Sequence, residues 1–437
     1  MKNRKVIVIG GGASGLMAAG RAARLGADVT VLEKMARPGL KLGITGKGRC
    51  NLTNIVPLEH FITHFGRNGR FLRQAFSRFF SDELISFFEE LGVQSITERG
   101  GRVFPQSGKA QDILKAMIAW ARSGGAEIRT KTAVTRLDLD GAKITGLFAR
   151  HYQSGGQRAL ADSVLKERRL KADAVVIAAG GSSYPLTGST GDGYALALSA
   201  GHRLIPVRPA LVPLETNAPW KTQATGLKLR NVLVSLSIDG KKSREAFGEV
   251  HFTETGVSGP VILTLSGHIV DCLDSGRRPV ISIDLKPALD NGKLDNRIIR
   301  DLDKNGKKQF GNMLKELLPS KLIPICIDLT RIPHNKQAHQ ITSAERERLR
   351  MWLKGFSFRI TGHRSFDEAI VTAGGVDLTR IDPRSMESRL VKGLYFAGEV
   401  MDIDGDTGGY NLQAAFSTGW VAGSSAADFK TYFTPAR

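Results

Sequence analysis

An α/β fold, with a dinucleotide-binding sheet divided between the two ends of the chain and a β-rich and helical domain inserted between them, is predicted by three observations. First, the apolar run Val6 to Ile9 reads as a buried parallel strand and breaks into Gly10-x-Gly12-x-x-Gly15, after which Leu16, Ala19, Ala22 and Ala23 keep a helical period. Second, the same texture returns late. Asp173 to Ala179 is a small-residue strand ending in Gly180-Gly181, and Leu394 to Ala397 is another, followed by Gly398-Glu399 and by Gly408-Gly409 before a helix over 412–426. Third, between about 204 and 369 the texture changes to prolines, short alternating strands and charged helices. These place a Rossmann-type domain at 1–203 and 370–437, and an inserted substrate or cap domain at 204–369.

The glycines of the first turn have separate tasks. Gly10 makes the tight turn, Gly12 lets backbone approach a pyrophosphate, and Gly15 lets helix and strand pack closely. The phosphates would sit on the free N–H groups of Ala13, Ser14 and Gly15, where the helix dipole favours negative charge. A second strand, 28–32, ends in Glu33, an acid at the spacing that accepts hydrogen bonds from an adenosine ribose. Glu33 favours a cofactor with a free 2′-hydroxyl.

From Lys34 to Asn54 the chain carries five cations and several glycines. It is expected to lack a regular helix and to wrap an anion or polar ring with Lys34, Gly43, Gly48 and Arg49. Arg70 and Arg73 then share a helical face. A second helix is expected at about 109–123, and strands at 127–131, 133–140 (bearing Val134) and 143–150 read as a β-meander. The basic stretch 158–171 reads as a loop. Ala179, Gly180 and Gly181 let the chain pass close to a ligand. In the inserted region, strands are expected at 233–238 and 280–285 and helices at 294–318 and 343–354. Thr253, Thr255 and Ser258 stand in a polar, glycine-rich turn ahead of a further helix.

Composition narrows the class. Hydrophobic content of 41% and charged content of 24% are those of a globular protein, and no apolar run approaches the roughly 20 residues of a membrane span. The N-terminal apolar run is too short for a signal peptide. Three dispersed cysteines, Cys50, Cys272 and Cys326, point to a reducing cytoplasm and to no cysteine metal site. The net charge is +20, and residues 1–80 hold fourteen Lys and Arg against Asp28, Glu33 and Glu59, a net +11. That excess serves either the cofactor's own phosphates or a polyanionic partner such as RNA.

Two glycine-rich cofactor segments at opposite ends favour FAD over NAD. The long cofactor needs both, its AMP half at 10–33 and its flavin half at Glu399, Gly408, Gly409, Asn411 and Leu412. No second GxGxxG follows an interior strand, so a nicotinamide donor, NAD(P)H, would bind only transiently.

Gly46-Lys-Gly-Arg-Cys-Asn51 with Thr53-Asn54, Gly101-Arg-Val-Phe-Pro105 with Lys109-Ala-Gln-Asp112, Phe252 to Pro260, and Gly398-Glu-x-x-Asp402 with Thr407 to Leu412 span nearly the whole chain in order. In these motifs the sequence resembles the BaiN/RdsA (YhiN) family of NAD(P)/FAD-dependent oxidoreductases, also described as aminoacetone-oxidase-like flavoproteins. Glu254 departs from the pattern, since relatives often carry His there. The resemblance implies a split FAD-binding domain and reduction of an activated C=C bond, one branch being associated with dihydrouridine in ribosomal RNA. Amine oxidation and steroid reduction have also been assigned to members.

Reducing the uracil C5=C6 bond needs a hydride on one carbon and a proton on the other. Cys50 is the first candidate acid, with Arg49 tuning it. Asn51 and Tyr410 would orient carbonyls, and the N-terminal cations would hold phosphates around a flipped base. The alternatives are an oxidase or ene-reductase of a small metabolite, and an RNA-binding protein in which FAD is structural.

Overall fold

The computed structural model describes residues 3–152 and 167–428. These fall into two compact units, one formed by Met1–Arg208 with Ile370–Arg437 and the other by Pro209–Ala369.

The first unit is built on a five-stranded parallel sheet. In chain order its elements are β1 (Lys5–Ile9), α1 (Ala13–Arg24), β2 (Asp28–Leu32), β3 (Glu127–Arg129), β4 (Ala174–Ile177), β5 (Leu394–Phe396) and α2 (Tyr410–Ala426). The strand order is β5-β4-β1-β2-β3. Val6, Ile7, Val8 and Ile9 are all buried, as is every residue of β4 and β5. Burial on both faces is what their unbroken apolar runs required. Glu127–Arg129 therefore belongs to the parallel sheet, beside β2, rather than to the meander expected there. The meander is instead Thr132–Asp140, Lys143–His151 and Arg168–Lys171, so the last four residues of the expected basic loop form a strand paired with 146–149. The rest of that basic stretch, to 166, lies outside the described residues.

α1 and α2 bring the two ends of the chain together. Their contact is made of small residues: a Cβ at Gly419 would come within 2.4 Å of Ser14 O, and one at Gly423 within 2.3 Å of Ala18 O. Beside this contact Trp420 stacks on Phe79 at 4.4 Å, and the Arg21 guanidinium lies over its ring at 4.2 Å.

The second unit is a seven-stranded antiparallel sheet with helices. Its long central hairpin is Lys228–Ile238 and Lys241–Phe252, flanked by Pro279–Asp284 and Phe356–Arg359 on one side and by shorter strands on the other. Val234, Leu236, Ile238, Ile281 and Ile283 alternate inward into a core shared with helices Pro260–Asp274, Asn291–Lys304, Leu322–Thr330 and Ser343–Lys354. Side-chain caps explain where two of these helices begin, Asn291–Lys304 and Ser343–Lys354. The Asp290 side chain accepts from the Lys293 N–H at 2.8 Å, and Thr342 with Glu345 forms a reciprocal capping box. The strand 241–252 had no apolar signal because its first half is solvent-exposed.

Candidate active site

The glycine turn after β1 holds its shape by contacts that a side chain would destroy. Gly10 has φ +99°, and a Cβ there would lie 2.5 Å from Ala178 O, just past the end of β4; one at Gly15 would lie 1.9 Å from Gly10 O. Gly12 differs: φ is −81° and a Cβ would meet nothing within 4 Å. The chain is thus closed around Gly10 and Gly15 and open at Gly12, where no side chain caps the α1 N-terminus. Glu33 ends β2 and is buried. Its carboxylate accepts from the Gly11 N–H at 2.8 Å and the Met35 N–H at 2.7 Å. Burial pushes its pKa up, and these two N–H groups act against that. The Thr132 N–H donates to Glu33 O, so the half-buried Val134 follows close behind on its strand.

The 34–54 segment is more ordered than its composition suggested. Leu40–Ile44 is a short helix, because Leu42 and Gly43 are buried, and Gly46, Lys47, Gly48 and Cys50 then take left-handed backbone. Three of its five cations have ion-pair partners. Lys34 pairs with Asp192 at 2.6 Å, Arg49 with Glu98 at 2.5 Å while lying over Phe104, and Lys41 with Glu399 at 2.7 Å. Glu399 also accepts from Ser183 Oγ and from the Thr372 N–H. One carboxylate thus ties the 34–54 segment, the 180–183 turn and the strand Val371–Val376. Gly181 is at this junction, where a Cβ would come within 2.4 Å of Thr372 Oγ1. Gly180 has φ +73°, with Ala179 half-buried before it. Gly398, at φ +75°, leaves room for Ser14, whose hydroxyl donates to Ala397 O.

The second anion-binding geometry lies at the start of α2. Gly408 and Gly409 both have positive φ, and the helix opens with no side-chain cap. Asn411 braces the preceding loop, accepting from the Gly405 N–H and donating to Gly405 O, both at 2.8 Å; Leu412 is half-buried. In the amide orientation that satisfies its neighbours, Asn51 accepts from the Gly409 N–H at 3.0 Å and donates to Thr53 O and Val103 O. Its side chain serves this backbone junction rather than the carbonyl of a substrate.

Cys50 is 0% exposed. Burial pushes its thiol pKa up to about 12, and the Thr45 hydroxyl only partly offsets this. Arg49 is turned to Glu98 and does not activate it. A sulfur walled in by protein cannot reach a substrate carbon, so the geometry gives Cys50 a packing role. Cys272 and Cys326 are buried as well. A thiol reagent should therefore titrate essentially no cysteine in the native protein and all three after denaturation; rapid labelling of Cys50 in the native state would return it to the reactive surface.

Two residues that sequence reasoning passed over stand beside Tyr410. His64 Nδ1 lies 2.8 Å from Asp406 Oδ2, and its ring stacks on Tyr410 with centroids 3.9 Å apart. Both members of the pair are about one-third exposed. Tyr410 is buried among Phe61 and Phe65, and burial with the nearby Asp406 pushes its hydroxyl up to about 12. No local pattern joins residues 64 and 406.

Of the expected substrate contacts, Arg70 is exposed and Arg73 pairs with Glu59 at 2.7 Å. Thr253, Thr255 and Ser258 lie in the second unit. The Gly256 N–H donates to Thr253 Oγ1, which lies 3.4 Å from the Thr255 hydroxyl, and Ser258 pairs with His251 across two strands.

The described residues fit FAD. Gly12 leaves open space before an uncapped helix, where a pyrophosphate would fit, and α2 opens as a second uncapped helix behind paired glycines, where the far end of the cofactor would fit. Among the described residues no cluster of His, Cys, Asp and Glu could hold a metal, and no helix is long and apolar enough to cross a membrane.

Comparison with known proteins agrees. The chain is 35% identical over 426 residues to the 3-dehydro-bile acid Δ(4,6)-reductase of Clostridium scindens, covering 97% of this chain and 99% of that one. It is 28% identical to the ribosomal RNA dihydrouridine synthase of Haemophilus influenzae, covering 96% and 97%. The solved 3-ketosteroid-Δ4-(5α)-dehydrogenase of Rhodococcus jostii shares the fold at 16% identity, with a TM-score of 0.51 and 98% of each chain covered. The HI0933-like protein Rossmann domain matches residues 4–425, and with the cofactor cradle formed by α1 and α2 this shows that the chain belongs to that family of FAD-dependent oxidoreductases.

Proposed function

We propose that the protein reduces a C=C bond conjugated to a carbonyl, that its substrate is a uridine of ribosomal RNA, and that NAD(P)H is the electron donor. The observation that carries the RNA reading is the net charge of +20, which a small metabolite does not call for and a polyphosphate does. Arg37, Lys47 and Arg70 are exposed, and among the described residues they have no ion-pair partner, so they remain available to phosphates. The two curated relatives support the chemistry, since a Δ(4,6)-reductase and a dihydrouridine synthase by name both add two hydrogens across a C=C bond.

Bound FAD in its reduced form would supply the hydride. The protein's part is to hold the uracil and to deliver a proton to the other carbon. With Cys50 sealed in the core, the His64–Asp406 pair is the better donor. The carboxylate orients the imidazole, Tyr410 supports its face, and partial exposure gives it access to both substrate and water. His64→Ala is expected to lower turnover about 100-fold with flavin content unchanged; undiminished turnover would assign the proton to another group.

The greater identity to the bile acid reductase favours a second reading, a small enone as substrate. The deciding experiment is mass spectrometry of ribosomal RNA from a strain lacking the gene. Loss of one dihydrouridine, restored by the wild-type gene and not by His64→Ala, is the expected result. Unchanged RNA would give preference to the enone.

A further inference from the structure

The second unit contains an open cleft of about 620 Å³, lined wholly by its own residues and by none of the candidate cofactor residues. Its walls include Arg230, Leu233, Phe247, Lys286, Pro287 and Arg297. Three cations line it. Among the described residues Arg230 and Lys286 have no ion-pair partner, and Arg297 has Asp301 at 3.7 Å. Lys286 is half-buried, and burial with the neighbouring Arg297 lowers its pKa while Asp301 acts the other way. A lysine in that position gains from an incoming anion.

The apolar wall is equally unusual. Phe247 is 60% exposed in the middle of a strand, paired across the hairpin with Leu233. Their neighbours on adjacent rows of this face, Ser235 and Glu245, are polar, and the strand's inward-facing residues fill the core. The opposite strand carries a bulge at the cleft, with its register broken between Leu229 and Val232 and Asn231 at φ +55°. Bulges re-aim side chains and concentrate at binding sites.

An exposed aromatic face among three cations, two of them without an ion-pair partner among the described residues, is the chemistry of single-stranded nucleic-acid binding: a base stacks on the ring, and Lys and Arg hold the flanking phosphates. We infer that this cleft is an RNA-docking site, in which Phe247 stacks one base and Arg230, Lys286 and Arg297 hold the adjoining phosphates of a single-stranded segment. The inference rests on the RNA reading above and adds to it a place of contact on the inserted unit. Aromatic stacking is sequence-tolerant, so the site would anchor RNA and leave the choice of nucleotide to the flavin pocket.

The test uses the full-length holoenzyme and a fluorescein-labelled single-stranded fragment of ribosomal RNA, with anisotropy followed at several salt concentrations. Phe247→Ala and Lys286→Glu are each expected to weaken binding about tenfold or more, and Lys286→Glu to flatten the salt dependence. Flavin content and flavin reduction by NAD(P)H should stay at wild-type levels. Wild-type affinity in both variants, with the wild type itself binding RNA, would overturn the cleft and leave the RNA reading standing. Failure of the wild type to bind RNA would remove both. Altered flavin reduction by NAD(P)H with unchanged RNA affinity would assign the cleft to the dinucleotide donor and overturn the inference.

Discussion

A Gly12→Asp protein is expected to fold, to melt close to the wild type and to contain no FAD. The expectation follows from the difference between Gly12 and its neighbours. At φ −81°, with nothing within 4 Å of a Cβ, residue 12 can carry a side chain at no steric cost, so stability should change by about 0.5 kcal/mol or less. The added carboxylate would lie where the pyrophosphate belongs. Two like charges at about 4 Å, at an effective dielectric near 20, repel by about 4 kcal/mol, roughly a thousandfold in affinity. Gly15→Ala makes the contrast, because its Cβ would enter Gly10 O at 1.9 Å and should disrupt the turn itself. Visible flavin absorbance per polypeptide, read beside the melting temperature, separates the two. A flavin-replete Gly12→Asp would show that the phosphates lie elsewhere.

The second large effect is a reversal of sign between two helical glycines. Replacing glycine by alanine in a helix ordinarily gains about 1 kcal/mol. Gly267, in the helix 260–274, has nothing within 4 Å of a Cβ, and Gly267→Ala should show that gain. Gly423→Ala should do the opposite. Its Cβ would come 2.3 Å from Ala18 O and 2.8 Å from Ala18 Cα, backbone atoms of α1 that can yield only if the helix pair separates. Overpacking of this kind costs about 1–3 kcal/mol and here acts on the contact that joins the two ends of the chain. Both helices open at the cofactor cradle, so flavin retention should fall with stability. Paired thermal melts of the two variants decide it; a stabilised Gly423→Ala would mean that α1 and α2 pack less closely than the structure shows.

Much of the fold was legible because its signals are local. The run Val6 to Ile9, the glycine turn and the acid at Glu33 each express a backbone rule over a few residues, and β1, β2, β4 and β5 stand as strands of the parallel sheet. Sequence and structure differ where a local signal is missing or ambiguous. The stretch 127–131 reads with 133–140 and 143–150 as a meander, but hydrogen bonding beside β2 takes Glu127–Arg129 into the parallel sheet as its edge strand. The glycines and cations of 34–54 suggested an open loop, yet burial of Leu42 suffices for a helical turn.

The site was less legible, because it depends on which side chains meet. Chain order and periodicity alone determined the α/β class, the glycine cradle and a cofactor long enough to need both ends of the chain. Tertiary structure alone decided that Lys41 answers Glu399, that Arg49 turns to Glu98 and away from Cys50, that Cys50 is sealed, and that His64 meets Asp406. The physical reason is range. Strands, turns and helix starts are set by neighbours along the backbone, whereas burial and charge pairing are set by packing between segments from 49 to 358 residues apart, on which no sequence period reports.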